Sequence, residues 1–203
     1  MKEYFLEKSM KIVSDTYPYY NDDKLDEIRY GLEAIYLSIT KISIILFIAF
    51  LLGIFKATFT LLVFFNLIRF TGFGMHAKKS WICLTIASVL FIIVPYLFSE
   101  IVVANDILAF LSFFCIISFL LFAPADTEKR PIIKKSKRVR FKIITLLICF
   151  IYIYFIFTLD SNFMKNALIY AMIIESVLIN PVTYKLFKLS FNNYKEYEFS
   201  TST

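Results

Sequence analysis

Residues 34–55 read AIYLSITKISIILFIAFLLGIF, with Lys41 as the only charge. A hydrocarbon layer ~30 Å thick is crossed by roughly 20 helical residues rising ~1.5 Å each, so this stretch has the length and composition of a transmembrane helix. Using the same ruler along the chain, residues 81–98, 101–124, 141–159 and 166–187 also qualify. The run 57–68 lies between Lys56 and Arg69 and offers only 12 residues. It crosses only if both flanking side chains snorkel; the alternative is a re-entrant segment. The expected fold is therefore all-α, a polytopic membrane protein with about six transmembrane helices, because lipid leaves no partner for unpaired backbone groups.

Composition agrees. Of 203 residues 59% are hydrophobic, more apolar surface than a water-soluble domain of this size can hide. With 24 Phe, 13 Tyr, 4 Gly and 5 Pro, disorder, collagen-like repeats and Gly-rich nucleotide folds are excluded. Cysteines 83, 115 and 149 are odd in number and form no CxxC, and there is one histidine, which argues against a disulfide framework or a multi-His metal site; no metal or cofactor is expected, and no nucleic-acid partner. Lys2, Glu3, Glu7 and Lys8 near the start give no cleavable signal peptide.

The chain reads as a single integral membrane domain, 1–203. Its parts are an N-terminal helical region 1–33, four hydrophobic segments over 34–124, a basic loop 125–142, two last spans within 143–189 and a tail 190–203. Leu6, Met10, Val13 and Tyr17 recur at spacings of 4, 3 and 4, which predicts an amphipathic helix on the membrane surface. The alternative is ordinary packing against the bundle. Segment 126–142 holds eight Lys/Arg against two Asp/Glu, and 69–80 holds Arg69, Lys78 and Lys79 with no acid, so both loops are expected in the cytoplasm. Six spans with both termini inside satisfy that rule throughout.

The loop 69–80 runs into a candidate site: Arg69-Phe70-Thr71-Gly72-Phe73-Gly74-Met75-His76-Ala77-Lys78-Lys79-Ser80-Trp81-Ile82-Cys83. On one continuous helix His76 and Cys83 would share a face but stand ~10 Å apart along the axis. Gly72 and Gly74 loosen the backbone, which would let the imidazole fold back toward the sulfur. Thiolate is the attacking form of cysteine, and His76, Lys78, Lys79 and a helix N-terminus would favour it at Cys83. Cys115 and Cys149, set mid-span among Phe, Ile and Leu, read as inert core residues. The alternative for the pair is a headgroup-contacting histidine and a small core cysteine. Asp106, near the outer end of its span, can reach water. Glu175 sits mid-span, where an acid is costly; helix packing is its favoured reading, and orienting His76 or binding substrate is the other, although its depth is placed well above the His76 loop.

Arg69…Gly74-Met75-His76…Cys83, together with Arg29-Tyr30-Gly31-Leu32-Glu33, Ala123-Pro124-Ala125-Asp126-Thr127-Glu128-Lys129-Arg130-Pro131 and Ser176…Asn180-Pro181, resembles the accessory gene regulator B (AgrB) family over nearly the whole chain. The resemblance implies a membrane-integral cysteine endopeptidase that processes an autoinducer propeptide for quorum sensing. Cys83 then matches the nucleophile, His76 its base, and Arg69 and Gly74 the supporting residues. The expected substrate has an amphipathic leader, a signal segment and an acidic tail. Cleavage would leave a Cys83 thioester, and attack by a peptide thiol or hydroxyl would close a thiolactone or lactone ring. Lys129, Arg130, Lys134 and Lys135, with Lys137, Arg138 and Arg140, would receive the acidic tail. The resemblance also implies a homodimer at the cell membrane, and the loop charges put its site and both termini on the cytoplasmic side. Two non-enzymatic readings compete: a small helical transporter or peptide exporter using Glu175 and Asp106, and a scaffold whose basic loop binds anionic lipid.

Overall fold

The computed structural model describes residues 2–75, 80–98, 101–128 and 131–195. Among them the chain is helical and forms no strand. The helices are α1 (Lys2–Thr16), α2 (Asp22–Leu51), α3 (Phe55–Gly72), α4 (Ser80–Ser88), a π-helical segment (Val89–Ile93), α5 (Val94–Phe98), α6 (Asn105–Phe122), α7 (Lys135–Thr158), α8 (Asn162–Leu178) and α9 (Pro181–Leu186). Four stretches among the described residues are long and apolar enough to cross a membrane: Lys24–Leu51, Trp81–Phe98, Asn105–Phe122 and Lys135–Thr158. They mark a membrane protein, as the exposed Phe110, Phe113, Phe114, Phe150, Ile151 and Tyr154 do, since such side chains belong against lipid rather than water.

Residues 1–48 form one compact unit and 49–203 a second. In the first, α1 packs on the N-terminal half of α2: Lys2 Nζ donates to Glu33 Oε1 at 2.8 Å, Arg29 lies 3.8 Å from Glu3, and the rings of Phe5 and Tyr36 are 5.2 Å apart. Leu6 is its buried anchor, and Tyr17 is exposed.

In the second unit the buried positions recur at helical spacing. They are Leu61, Phe65, Ile68 and Gly72 on α3; Leu108, Ser112, Cys115 and Phe119 on α6; and Thr145, Cys149, Tyr152 and Ile156 on α7. Each of these helices thus turns one stripe inward. Helix α8 packs most closely against α3 and also touches α6 and α7. Small and polar side chains tie the stripes together. Thr145 donates to Thr71 Oγ1 at 2.9 Å, the Tyr152 hydroxyl to Phe64 O at 2.9 Å, and Ser118 to Ser176 O at 3.3 Å.

Two expected spans are not regular helices, and proline explains both. Pro95 has no N–H for the carbonyl of Phe91 four residues back, and the helix passes through a π segment there. Thr58 of α3 donates to that carbonyl at 2.8 Å. The stretch 166–187 breaks into α8 and α9 at Asn180-Pro181. Here the Thr183 hydroxyl donates to Val177 O at 2.6 Å, which Pro181 cannot serve, and Asn180 caps α9 by accepting from Val182 N at 2.9 Å. Drawing Val182 N into the cap leaves Leu178 O without its helical donor. The short run 57–68 lies inside the 18-residue α3, and the first span ends at Leu51, before Gly53 (φ +73).

Candidate active site around the loop after α3

Helix α3 ends at Gly72, and the next two residues have positive φ, Phe73 at 63° and Gly74 at 94°. A non-glycine residue with positive φ is strained and needs support from its surroundings. Phe73 N donates back to Arg69 O at 3.0 Å, and the Phe73 ring meets Phe141 of α7 edge-on at 5.0 Å.

Two distant parts of the chain and the side chain of nearby Arg69 then hold residues 72–75. Gly74 N donates to Ala125 O at 2.8 Å, and Ala125 N to Gly72 O at 3.0 Å. Met75 N donates to Leu178 O at 3.0 Å, the carbonyl left open at the broken end of α8. Finally, Arg69 Nη2 donates to Gly74 O at 3.1 Å and to Met75 O at 2.6 Å, while Nη1 donates to Glu175 Oε2 at 3.2 Å. The guanidinium also lies over the Phe65 ring, 5.8 Å from its centroid.

Glycine at 72 is therefore a matter of close approach rather than looseness, and glycine at 74 of close approach together with its positive φ, contrary to the expectation from sequence. A Cβ at Gly72 would stand 2.5 Å from Glu175 Oε1. One at Gly74 would collide with Arg69 Nη1 and come within 3.0 Å of Leu178 O. The placement of Glu175 well above this loop is corrected too, because its carboxylate pairs with the arginine that grips the loop.

The shelf that supplies Ala125 is itself braced. Tyr184 of α9, 1% exposed, donates to Ala125 O at 3.2 Å and to Asp126 O at 2.9 Å. The buried Asp126 carboxylate accepts from Asn193 N and Tyr194 N, each at 2.9 Å, and from Ile132 N and Asn193 Nδ2, each at 3.3 Å. Arg138 stacks on the Tyr194 ring at 3.8 Å and donates to Ile132 O and Ile133 O.

Of the residues singled out from sequence, Arg69 and Gly74 meet at this loop. Cys83 lies on α4, half-exposed and the fourth residue of the helix. Cys115 and Cys149 are buried in α6 and α7. Lys134 and Lys135 are exposed at the start of α7, whose first turn carries no acid. His76, Lys78, Lys79, Lys129 and Arg130 lie outside the described residues. Sequence reasoning did not find the partnership of Arg69 with Glu175, 106 positions apart, nor the bracing roles of Asp126 and Tyr184. Asp126 and Pro181 each stood in a recognised block, but no local pattern linked either to the loop.

The family model for accessory gene regulator B matches residues 6–179. A putative AgrB-like protein of Listeria innocua is 31% identical over 172 residues, 85% of this chain and 84% of that protein. A putative AgrB-like protein of Clostridium acetobutylicum is 29% identical over 86% of this chain and 84% of its own. The accessory gene regulator protein B of Staphylococcus aureus is 31% identical, covering 77% of this chain and 82% of its own. No solved structure matches.

Proposed function

The chain belongs to the accessory gene regulator B family, and from that premise we propose that it is a membrane-embedded cysteine endopeptidase that removes the tail of a quorum-sensing propeptide and closes the remaining segment into a ring. The observation that carries the reading is the convergence of Arg69, Ala125 and Leu178 on Gly74 and Met75, the backbone that leads into His76. Two sequence blocks far from it, together with Arg69 beside it, serve one short loop, and the next helix carries Cys83. Such investment in a strained turn fits a catalytic loop better than a connector.

In the proposed reaction His76 takes the proton of the Cys83 thiol, and the sulfur attacks the carbonyl between signal segment and tail. The tetrahedral adduct collapses as the C–N bond breaks, and His76 returns the proton to the departing amine. The acyl group is left on Cys83 as a thioester. A thiol or hydroxyl of the same peptide then attacks that carbonyl, the C–S bond to Cys83 breaks, and a thiolactone or lactone leaves with the cysteine restored. A site sunk below the headgroups favours ring closure over hydrolysis by limiting water.

For substrate, the reading takes a propeptide whose amphipathic leader lies on the inner leaflet and whose acidic tail meets Lys129, Arg130, Lys134 and Lys135. Helix α7 begins with cations and no acid, so its N-terminal field is uncompensated and an anionic tail would be welcome there. The site and both termini then face the cytoplasm, and two copies of the chain work as a dimer. The transporter reading loses support because its intramembrane acid, Glu175, is already engaged by Arg69.

Co-expression with the propeptide encoded beside the gene tests the proposal. Cys83→Ala and His76→Ala should each abolish cleavage, while Cys115→Ala and Cys149→Ala should not. Mass spectrometry of the lipid-reconstituted protein should find the signal segment attached to Cys83. Cleavage retained by Cys83→Ala would end the enzyme reading.

A further inference from the structure

Building on that reading, we infer that Glu175 is a positioning residue for the reaction, acting through Arg69 to fix the backbone from which His76 is presented to Cys83. Glu175 is fully buried and the Arg69 side chain only 14% exposed. Buried ion pairs are weak contributors to stability compared with well-packed apolar side chains, so a pair at this depth calls for another reason. The geometry supplies one. The guanidinium is a planar fork, and here its two ends do different work: Nη1 is held by Glu175 Oε2, and Nη2 holds the carbonyls of Gly74 and Met75. Remove the carboxylate and one edge of the fork is free to swing away from the loop.

Two further observations point the same way. The pair crowds the glycines at both 72 and 74, since a Cβ at Gly72 would strike Glu175 and one at Gly74, already set apart by φ +94, would strike Arg69. The loop is thus shaped around the ion pair. Second, Glu175 Oε1 has no hydrogen-bond partner among the described residues. A carboxylate kept only to join helices would be expected to satisfy both oxygens. Glu175 instead spends one oxygen on Arg69 and leaves the other over Gly72.

The test uses the full chain in vesicles of phosphatidylcholine and phosphatidylglycerol, in a Cys115→Ala Cys149→Ala background, so that only Cys83 can react. The readout is the rate of iodoacetamide alkylation at pH 7, followed by mass spectrometry. His76→Ala should slow alkylation about tenfold as the thiolate is lost. Glu175→Gln, which keeps an acceptor of the same shape without the charge, should slow it by a similar factor. The double variant should be slower than His76→Ala by no more than about twofold, because Glu175 acts only through the histidine. A merely structural acid would instead slow the reaction equally in both backgrounds, and that result overturns the inference. An unchanged rate in Glu175→Gln beside a slow His76→Ala overturns it alone; an unchanged rate in His76→Ala overturns the peptidase reading and this inference together. If Glu175→Gln does not accumulate in membranes, Arg69→Lys is measured in its place. One ammonium cannot reach the carboxylate and both carbonyls, so the same loss and the same non-additivity are expected.

Discussion

Alanine substitution at three glycines separates the two demands placed on Gly74. Gly31 lies within α2, where an added Cβ would meet nothing within 4 Å, and its φ is ordinary. Gly31→Ala should stabilise by about 0.5–1 kcal/mol through helix propensity alone. Gly53 has φ +73 but open space, so Gly53→Ala meets only the left-handed penalty of about 1–2 kcal/mol. Gly74 has φ +94 and a crowded side, where the new methyl meets Arg69 Nη1, Leu178 O and Ile179 Cγ2. Gly74→Ala should therefore incur the same penalty plus the displacement of the guanidinium. Loss of the Glu175 pair sets a ceiling of about 3–5 kcal/mol on that second part. Thermal melting by circular dichroism in detergent should rank the variants Gly31→Ala, wild type, Gly53→Ala, Gly74→Ala from most to least stable. At roughly 2–4 °C per kcal/mol, the last two should differ by several degrees. If Gly74→Ala melts within about 1 °C of Gly53→Ala, less than a 1 kcal/mol difference would give, the close approach of Arg69 is not what requires glycine there, and the account of the loop is wrong.

Other perturbations probe the supports of the same unit. Thr58→Val keeps shape but leaves Phe91 O without a donor beside Pro95, and should destabilise by about 1–3 kcal/mol in the same melts; no change would mean that the carbonyl finds another partner. Tyr184→Phe removes the shared donor of Ala125 O and Asp126 O and should cost about 1–3 kcal/mol, with faster hydrogen exchange at the Gly74 amide as the local readout. Reversing Lys134 and Lys135 to Glu should raise KM for an acidic-tailed propeptide with little change in kcat, and the effect should shrink as salt rises. An equal fall in kcat would place those lysines in the chemistry rather than in capture.

How much of this is legible in the sequence differs from element to element. Apolar length alone locates the membrane-crossing stretches near 34–55, 81–98, 101–124 and 141–159, because burial in lipid acts on composition. Boundaries move where a single residue overrides composition. Pro181 splits the apolar run 166–187, and Gly53 follows the end of α2. The site is harder to read. Arg69 and Gly74 are visible there, but their relations are not, since Glu175 reaches Arg69 only after α3 and α8 have packed. Glycine is misread for a related reason. Local sequence reports conformational freedom, whereas the need for Gly72 arises from a side chain 103 positions away. Helical periodicity carries no information about such encounters.

The knot at Asp126 bears on the order in which the molecule can be finished. Among the described residues, three of the four hydrogen bonds to its carboxylate come from Asn193 and Tyr194, which follow α9 in the chain. Until they arrive, among the described residues an acid destined for burial has Ile132 N alone to answer it, and the shelf that carries Ala125 to Gly74 has Tyr184 but not the Asp126 knot beneath it. A nascent chain inserted up to α8 thus lacks both Tyr184 and these Asp126 partners, and cutting the chain before Asn193 should remove the second of these supports alone.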